Sequence, residues 1–299
     1  KWKADGISID SRNLMPGDLF VALKGPNHDG HNHVLEALSG NAVAAMVEHV
    51  PKSSNVVGPL LIVTSSKKGL YNLARAARGR SAAKIIAVTG SVGKTGMKEL
   101  IYRALSSVGS VCSSSGNLNN QIGAPLSLAR LPLEAKFGVF ELGMNHSGEI
   151  ASLSNLVRPH IAVITNVEAV HTEYFENTDA VAKAKAEIFV GLEANGAAIL
   201  NYDNEYFDYL SAIAQKNNIK KIISFGKHQK AQARLLNWFP DKQGGLVEAN
   251  IFDENQGVTQ NNEVVKTYNP IKTLSCDLTC MDGTKKPSMF CKLPFLNPI

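Results

Sequence analysis

The stretch Lys84 to Leu105, KIIAVTGSVGKTGMKELIYRAL, constrains this chain more than any other. The apolar run Ile85 to Val88 breaks at Thr89 and Gly90, and a helix-like pattern begins after Lys94, giving strand, glycine-bounded loop and helix in that order. Such a loop aims backbone N–H groups and the positive end of a helix at one spot, where a phosphate chain can be held. Lys94 is placed to reach the outer phosphates and the Thr95 hydroxyl to coordinate Mg²⁺, so the expected ligand is a nucleoside triphosphate. The loop alone does not say what the energy is used for.

From Lys84 onward short apolar runs alternate with helical segments. Strands are expected at 85–88, 139–142, 161–165, 197–200 and 221–225, with helices near 97–105, 122–131, 150–157, 179–192 and 205–217. This alternation predicts an α/β fold with a mostly parallel sheet covered on both faces, and ligands at the carboxyl ends of its strands. After Gly226 the runs shorten (233–236, 245–251, 263–266 and 275–280) and read as a small antiparallel sheet appended to the parallel one. Residues 1–83 form a separate, phosphate-loop-free unit, with a turn at Pro16-Gly17-Asp18, a buried strand over Leu19 to Leu23 and a helix-like run over Val34 to Leu38. The expected domains are therefore 1–83 and 84–299, in keeping with 299 residues.

Composition narrows the class of partner. The chain is 44% hydrophobic and 19% charged, with no apolar run near the ~18 residues that span a bilayer, so membrane insertion is not expected. The first residues lack the apolar region of a secretory signal, and the missing initial Met leads us to expect residues before Lys1. Four cysteines without a CxxC pair predict reduced thiols in a cytoplasm. A net charge of +5 without basic runs favours anionic small substrates over nucleic acid.

Several polar residues fall at predicted strand ends. Glu141 closes the second strand of the parallel set, where a carboxylate beside a phosphate loop can hold Mg²⁺. His171 follows the third; by its chemistry alone it is more often a loop histidine, and its place at the same edge of the sheet brings a ligand role level with that reading. Lys185 lies on a helix, and spacing does not distinguish it from Lys183. Ser8, Asp10, Ser11 and Arg12 form either a binding edge or a capped turn with a surface arginine. His28, His31 and His33 in DGHNH read as a solvated loop, because nothing nearby supplies further metal ligands.

Together TGSVGKT, GNLNNQIGAPLSL (116–128), ELGMNHSGEI (141–150), ITNVEAVH (164–171) and AKAEIF (184–189) resemble the Mur ligases. GNLNN and ELGMNH favour the MurF branch over MurE; SIDSR, PGDLFVALKG and DGH extend the resemblance to residues 6–226. The resemblance implies an ATP-dependent amide ligase of peptidoglycan synthesis, expected as a monomer, that adds D-alanyl-D-alanine to UDP-N-acetylmuramoyl-tripeptide. The acceptor carboxylate would take the γ-phosphoryl group of ATP, and the incoming amine would displace phosphate from the acyl phosphate. No serine or cysteine nucleophile is needed. Carried onto this sequence, Gly90, Ser91, Val92, Gly93, Lys94, Thr95 and Gly96 would cradle ATP, while Thr95, Glu141 and His171 would hold Mg²⁺. Lys185 matches a lysine that is carbamylated in the family; with Lys94, Glu141 and His171 it completes the implied catalytic set. Asn117, Asn119, Asn120 and Asn145 would face the substrate, and Ser11 and Arg12 would receive its uridine diphosphate end.

Two departures stand out. Gly96 replaces the threonine that usually follows the Lys-Thr pair, at up to about 1 kcal/mol of helix propensity, and weaker nucleotide binding is expected. No counterpart of the family's third domain, or of the motif leading into it, is found before Ile299, so a fragment or truncated product is expected; the alternatives are a non-catalytic module that binds the UDP-linked peptide and ATP, or a Mur-type ligase with a different acceptor.

Overall fold

A computed structural model describes residues 2–51, 58–169, 174–241, 244–252 and 270–277. The first unit is built on β1 (Gly6–Ser8), β2 (Asp18–Val21), β3 (Ala42–Val47) and β4 (Leu60–Ile62), paired in that order and all parallel. Alternation along these strands sends side chains to two cores. Phe20, Ala45 and Val47 pack against Val34 and Ala37 of α1 (Val34–Ser39), while Ile7, Leu19, Val21 and Met46 pack against Leu70 and Leu126.

Leu70 belongs to α2 (Ser66–Arg80), which begins where Ser65 Oγ accepts the Lys68 N–H and buries Leu70, Ala74 and Ala77 along one stripe. Arg78 of this helix is buried, and it donates from Nε to Val157 O at 2.7 Å and from Nη2 to Arg158 O at 2.9 Å. It thereby satisfies carbonyls at the end of a helix of the second unit, whose turn Arg158 closes at φ 46°. Arg130 Nε reaches back to Ile7 O at 2.9 Å.

The second unit runs β5 (Lys84–Thr89), α3 (Lys94–Ser106), β6 (Val111–Ser113), α4 (Gly123–Ala129), β7 (Phe137–Glu141), α5 (Glu149–Val157), β8 (Ile161–Ile164), α6 (Thr178–Ala186), β9 (Ala197–Asn201), α7 (Phe207–Lys216) and β10 (Lys221–Gly226). β11 (Ala233–Asp241), β12 (Gly244–Phe252) and β13 (Pro270–Asp277) follow. All nine strands share one sheet of order β13-β12-β11-β10-β9-β8-β5-β7-β6. Ile85 and Ala87 face the large core under α4 and α5; Ile86 and Val88 face a smaller one with Met97, Ile101 and Leu105 of α3. A central parallel strand buried on both faces needs an apolar residue at every position, which is why Ile85 to Val88 reads as an unbroken run.

The predicted α/β class and its parallel strands are borne out. The appended sheet is not: β11 pairs parallel with β10, and only β11-β12 and β12-β13 are antiparallel, so the late strands extend the main sheet. The expected strand at 263–266 and the end of the one at 275–280 lie outside the described residues. The predicted helix over 179–192 ends at Ala186 and tightens into a 3₁₀ turn over Glu187–Gly191. His31 is not solvated: it is buried, its Nδ1 lies 2.7 Å from Asp29 Oδ1 and its Nε2 accepts the Glu48 N–H at 2.9 Å. Among the described residues no helix is long and apolar enough to cross a membrane.

Replacing Arg78 with Met removes a buried guanidinium and leaves the Val157 and Arg158 carbonyls without their donor, while keeping much of the side chain's bulk. We expect a loss of roughly 2–3 kcal/mol of stability, read as a lower urea midpoint with an unchanged slope. An unchanged midpoint would show that the cap contributes nothing.

Candidate active site

The sheet order places β5 between β7 and β8, so the loop after β5 opens beside the carboxyl ends of both neighbours. Gly90 leaves the strand at φ 151°, and a side chain there would run into Thr165 Oγ1 and the Asn166 N–H. Thr165 in turn donates to Val92 O at 2.6 Å, and Ser91 is held through its N–H to Asn166 O and its Oγ to Glu168 O. The loop is thus stapled to the segment after β8. Gly93 caps α3 in the left-handed region at φ 78°, and a side chain at Gly93 or Gly96 would meet open space. The front of the loop is clear while its back is fixed.

Lys94 folds over this loop, donating from Nζ to Gly90 O at 2.9 Å and to Ser91 O at 3.3 Å. Burial holds its ammonium below the ordinary lysine range, against the opposing pull of Glu141. The Thr95 hydroxyl donates to Glu141 Oε2 at 2.8 Å, and Asn119 Nδ2 donates to Glu141 Oε1 at 2.7 Å. Glu141, at the end of β7, is 1% exposed. The predicted pair Thr95 and Glu141 is therefore brought together, with Asn119 as a third member; two hard oxygens side by side beneath a helix N-terminus fit a phosphate-bound divalent cation. His171 lies outside the described residues. Among the described residues no group of three or more His, Cys, Asp or Glu side chains forms a metal cluster.

Lys185 is 2% exposed on α6, whereas Lys183 faces solvent, a distinction that helical spacing could not make. Burial first, and then the like charge of Lys94, lower its pKa to about 7. A half-neutral amine at physiological pH is a nucleophile.

A cleft of about 420 Å³ opens between α2 and the loops following β6 and β7, and Lys94, Asn119, Asn120 and Asn145 all line it. Asn120 also caps α4, its Oδ1 accepting from Ile122 and Gly123 N–H, and the Asn145 N–H donates to Glu149 Oε2 at 2.7 Å. Asn117 is exposed on the same loop but does not line the cleft. Ser11 and Arg12 do not line it either: Ser11 Oγ donates to Glu36, and Arg12 forks onto Asp10, holding that carboxyl at about 2 through its hydrogen bonds. Sequence reasoning overlooked Lys67, Gln121 and Glu149, which line the cleft as a connected set: Lys67 Nζ donates to Gln121 Oε1 at 3.3 Å, and Gln121 Nε2 to Glu149 Oε1 at 3.2 Å. Gln121 and Glu149 sit inside the motifs GNLNNQIG and ELGMNHSGE; Lys67 carries no such signal.

A model of the Mur ligase middle domain matches residues 88–262, and one of the Mur ligase family catalytic domain matches residues 3–89. The UDP-N-acetylmuramoyl-tripeptide–D-alanyl-D-alanine ligase of Escherichia coli is 42% identical over 213 residues, 71% of this chain and 46% of that protein. That of Rickettsia prowazekii is 37% identical over 230 residues, 77% of this chain and 51% of that protein. Among solved structures, MurF from Acinetobacter baumannii superposes with a TM-score of 0.73 at 31% identity, covering 83% of this chain and 53% of its own. MurF ligase from Thermotoga maritima in complex with ADP gives 0.69 at 31% identity, covering 83% and 56%. The chain spans about half the length of the curated relatives it matches.

The buried amine of Lys185 makes a pH-dependent prediction. Its folded pKa lies below the unfolded value of 10.5, so the unfolded chain binds one more proton between about 7 and 10.5, and stability rises with pH across that window. In bicarbonate-free buffer, Lys185→Met is expected to be more stable than the unsubstituted chain by roughly 4 kcal/mol at and below pH 7, with the gain vanishing towards pH 10.5. Urea unfolding across this range checks it; a pH-independent gain would mean that repacking, not charge, is responsible.

Proposed function

The chain belongs to the Mur ligase family, and on that premise we propose that it is a MurF-type part of an ATP-dependent ligase that joins D-alanyl-D-alanine to UDP-N-acetylmuramoyl-tripeptide in the cytoplasm, as a monomer. The observation that carries this reading is the junction at Glu141, whose buried carboxylate accepts from Thr95 at the start of the loop's helix and from Asn119 of the cleft wall, with Lys94 beside both. In this reading residues 1–83 hold the UDP end of the acceptor through Ser11 and Arg12, and residues 84–299 hold ATP over Gly90 to Gly96. Asn119, Asn120 and Asn145 line the path of the acceptor peptide, and Asn117 stands on the same loop outside the cleft.

The chemistry asks for charge neutralisation and alignment more than for a covalent enzyme group. The acceptor carboxylate oxygen attacks the γ-phosphorus and ADP leaves; the dipeptide amine then attacks the acyl carbon, loses a proton, and phosphate leaves. Lys94, at the start of α3, neutralises charge on the transferring phosphoryl group once it swings off Gly90 O and Ser91 O. Bound magnesium, held by Thr95 and Glu141 with His171 as the third proposed ligand, would supply further neutralisation of the phosphate oxygens. Asn119 keeps the Glu141 carboxylate oriented from the acceptor side. Lys185, neutral in part near pH 7, adds to CO₂ with loss of a proton, which converts a buried cation into a carbamate anion.

A chain spanning about half the length of its relatives also supports a second reading, a module that binds the UDP-linked peptide and ATP without turnover. Phosphate release in the presence of ATP, Mg²⁺, UDP-muramoyl tripeptide and D-alanyl-D-alanine separates the two: release that requires both acceptor substrates supports the ligase, and binding without release supports the module. For either reading, calorimetry with a non-hydrolysable ATP analogue and Mg²⁺ is expected to show binding that Lys94→Ala weakens by at least about 30-fold, or ~2 kcal/mol. Affinity untouched by that substitution would sink the placement of the nucleotide.

A further inference from the structure

Lys98 is fully buried, and the chemistry above makes no use of it. Its Nζ donates to Ser114 O at 2.7 Å and Gly116 O at 3.0 Å, and lies 3.1 Å from Glu99 Oε1. Of the three N–H donors of an ammonium, two are bonded to these carbonyls, and its charge is paired with Glu99. Enclosed at 0% exposure, it is not presented to a ligand. What it grips is the root of the loop that carries Asn117, Asn119 and Asn120, four residues along the same helix from Lys94.

The rest of that loop is tied back to the phosphate side. Ser114 Oγ accepts the Glu141 N–H at 3.2 Å, Asn119 O accepts the Gly143 N–H at 2.8 Å, and Asn119 Nδ2 reaches Glu141 Oε1. With Thr95 on Glu141 Oε2, the path closes on itself: α3, Lys98, the 114–119 loop, Glu141, Thr95 and α3 again. Leu118 anchors the far end of this loop on the core of Leu70 and Leu126, but residues 115–117, with Gly116 at φ 52°, are exposed and have no such packing. The near half of the loop is therefore held by polar ties, and the Lys98 grip on Ser114 O and Gly116 O brackets it.

We propose that Lys98 is a positioning residue that sets the acceptor-facing asparagine loop against the nucleotide-binding helix, so that losing it impairs the acceptor side and spares the nucleotide side. The acceptor part of this rests on the functional reading above; the clamp itself does not. Lys98→Met keeps the aliphatic stem and removes all three donors, leaving two carbonyls unmatched.

Hydrogen exchange followed by mass spectrometry on the full chain tests the clamp without ligand. Lys98→Met is expected to speed exchange about tenfold in peptides covering 114–120 and 142–143, with 84–93 unchanged and Lys98→Gln, which retains two donors, falling between. In calorimetry the same variant is expected to lose about tenfold in affinity for UDP-muramoyl tripeptide and less than about twofold for an ATP analogue with Mg²⁺. Unaltered exchange at 114–120 in folded Lys98→Met, acceleration spread evenly over the chain, or equal loss of both ligands would each overturn the proposal. If Lys98→Met does not fold, Lys98→Gln carries the same comparison. An unsubstituted chain that binds neither ligand overturns the functional reading instead, while the exchange pattern still decides the clamp.

Discussion

The buried carboxylate of Glu141 is the interaction from which the rest of the site follows. A carboxyl group at 1% exposure is tolerable only when its oxygens are matched, and each oxygen has one donor, Thr95 on one side and Asn119 on the other. These donors come from different elements, so keeping the carboxylate satisfied forces α3, the end of β7 and the 114–120 loop into register. Two donors do not exhaust the roughly four lone-pair positions of a carboxylate. The remaining acceptor capacity, beside the Thr95 hydroxyl and under a helix N-terminus, is the chemical opening for a hard cation carried in on phosphate.

Sheet topology makes that arrangement rigid from behind. With β5 flanked by β7 and β8, the phosphate loop is bonded on one side to the segment after β8 and faces Glu141 on the other. Gly90 is needed because Thr165 occupies the space a side chain would fill. The cleft wall supplied by α2 is equally fixed, since Arg78 ties that helix to the end of α5 and Leu70 packs with Leu126 of α4. A ligand spanning cleft and loop therefore meets two walls held apart by covered, hydrogen-bonded structure.

What the sequence makes legible divides along the same lines. Central strands announce themselves as apolar runs because both of their faces are covered, and Gly90 and Gly143 mark the carboxyl ends of β5 and β7. β3 escapes notice because its run AVAAMV is rich in alanine, a weak strand former; β4 and β6 are only three residues each. α2 contains Gly69 and Gly79, which lower its intrinsic propensity; what stabilises it is the packing of its buried stripe and the Arg78 tie, both tertiary. Phosphate loop and Glu141 are read correctly as neighbours because strand ends of a parallel sheet share an edge. Lys185 is not separable from Lys183 by spacing, since only the packing of α6 decides which lysine is enclosed. Lys98 is invisible for the same reason: in MKEL it looks like one more helix-surface lysine, and its carbonyl partners lie 16 and 18 residues away.

Charge around the loop shows why this site is arranged for anions. Lys94 and Lys185 are both driven toward neutrality by burial, and Lys185 further by Lys94, with Glu141 acting in the opposite sense on Lys94. An anion placed between them stabilises both ammonium forms, so by linkage it binds the protonated protein more tightly and takes up protons near neutral pH. Conversion of Lys185 to a carbamate does the reverse: it releases a proton and replaces a repelled cation with an attracted anion. The two events oppose each other at Lys185 unless further positive charge arrives with the phosphate. A nucleotide bound with its divalent cation meets that condition, which would tie a carbamylated Lys185, the Thr95–Glu141 pair and the glycine loop to one electrostatic balance.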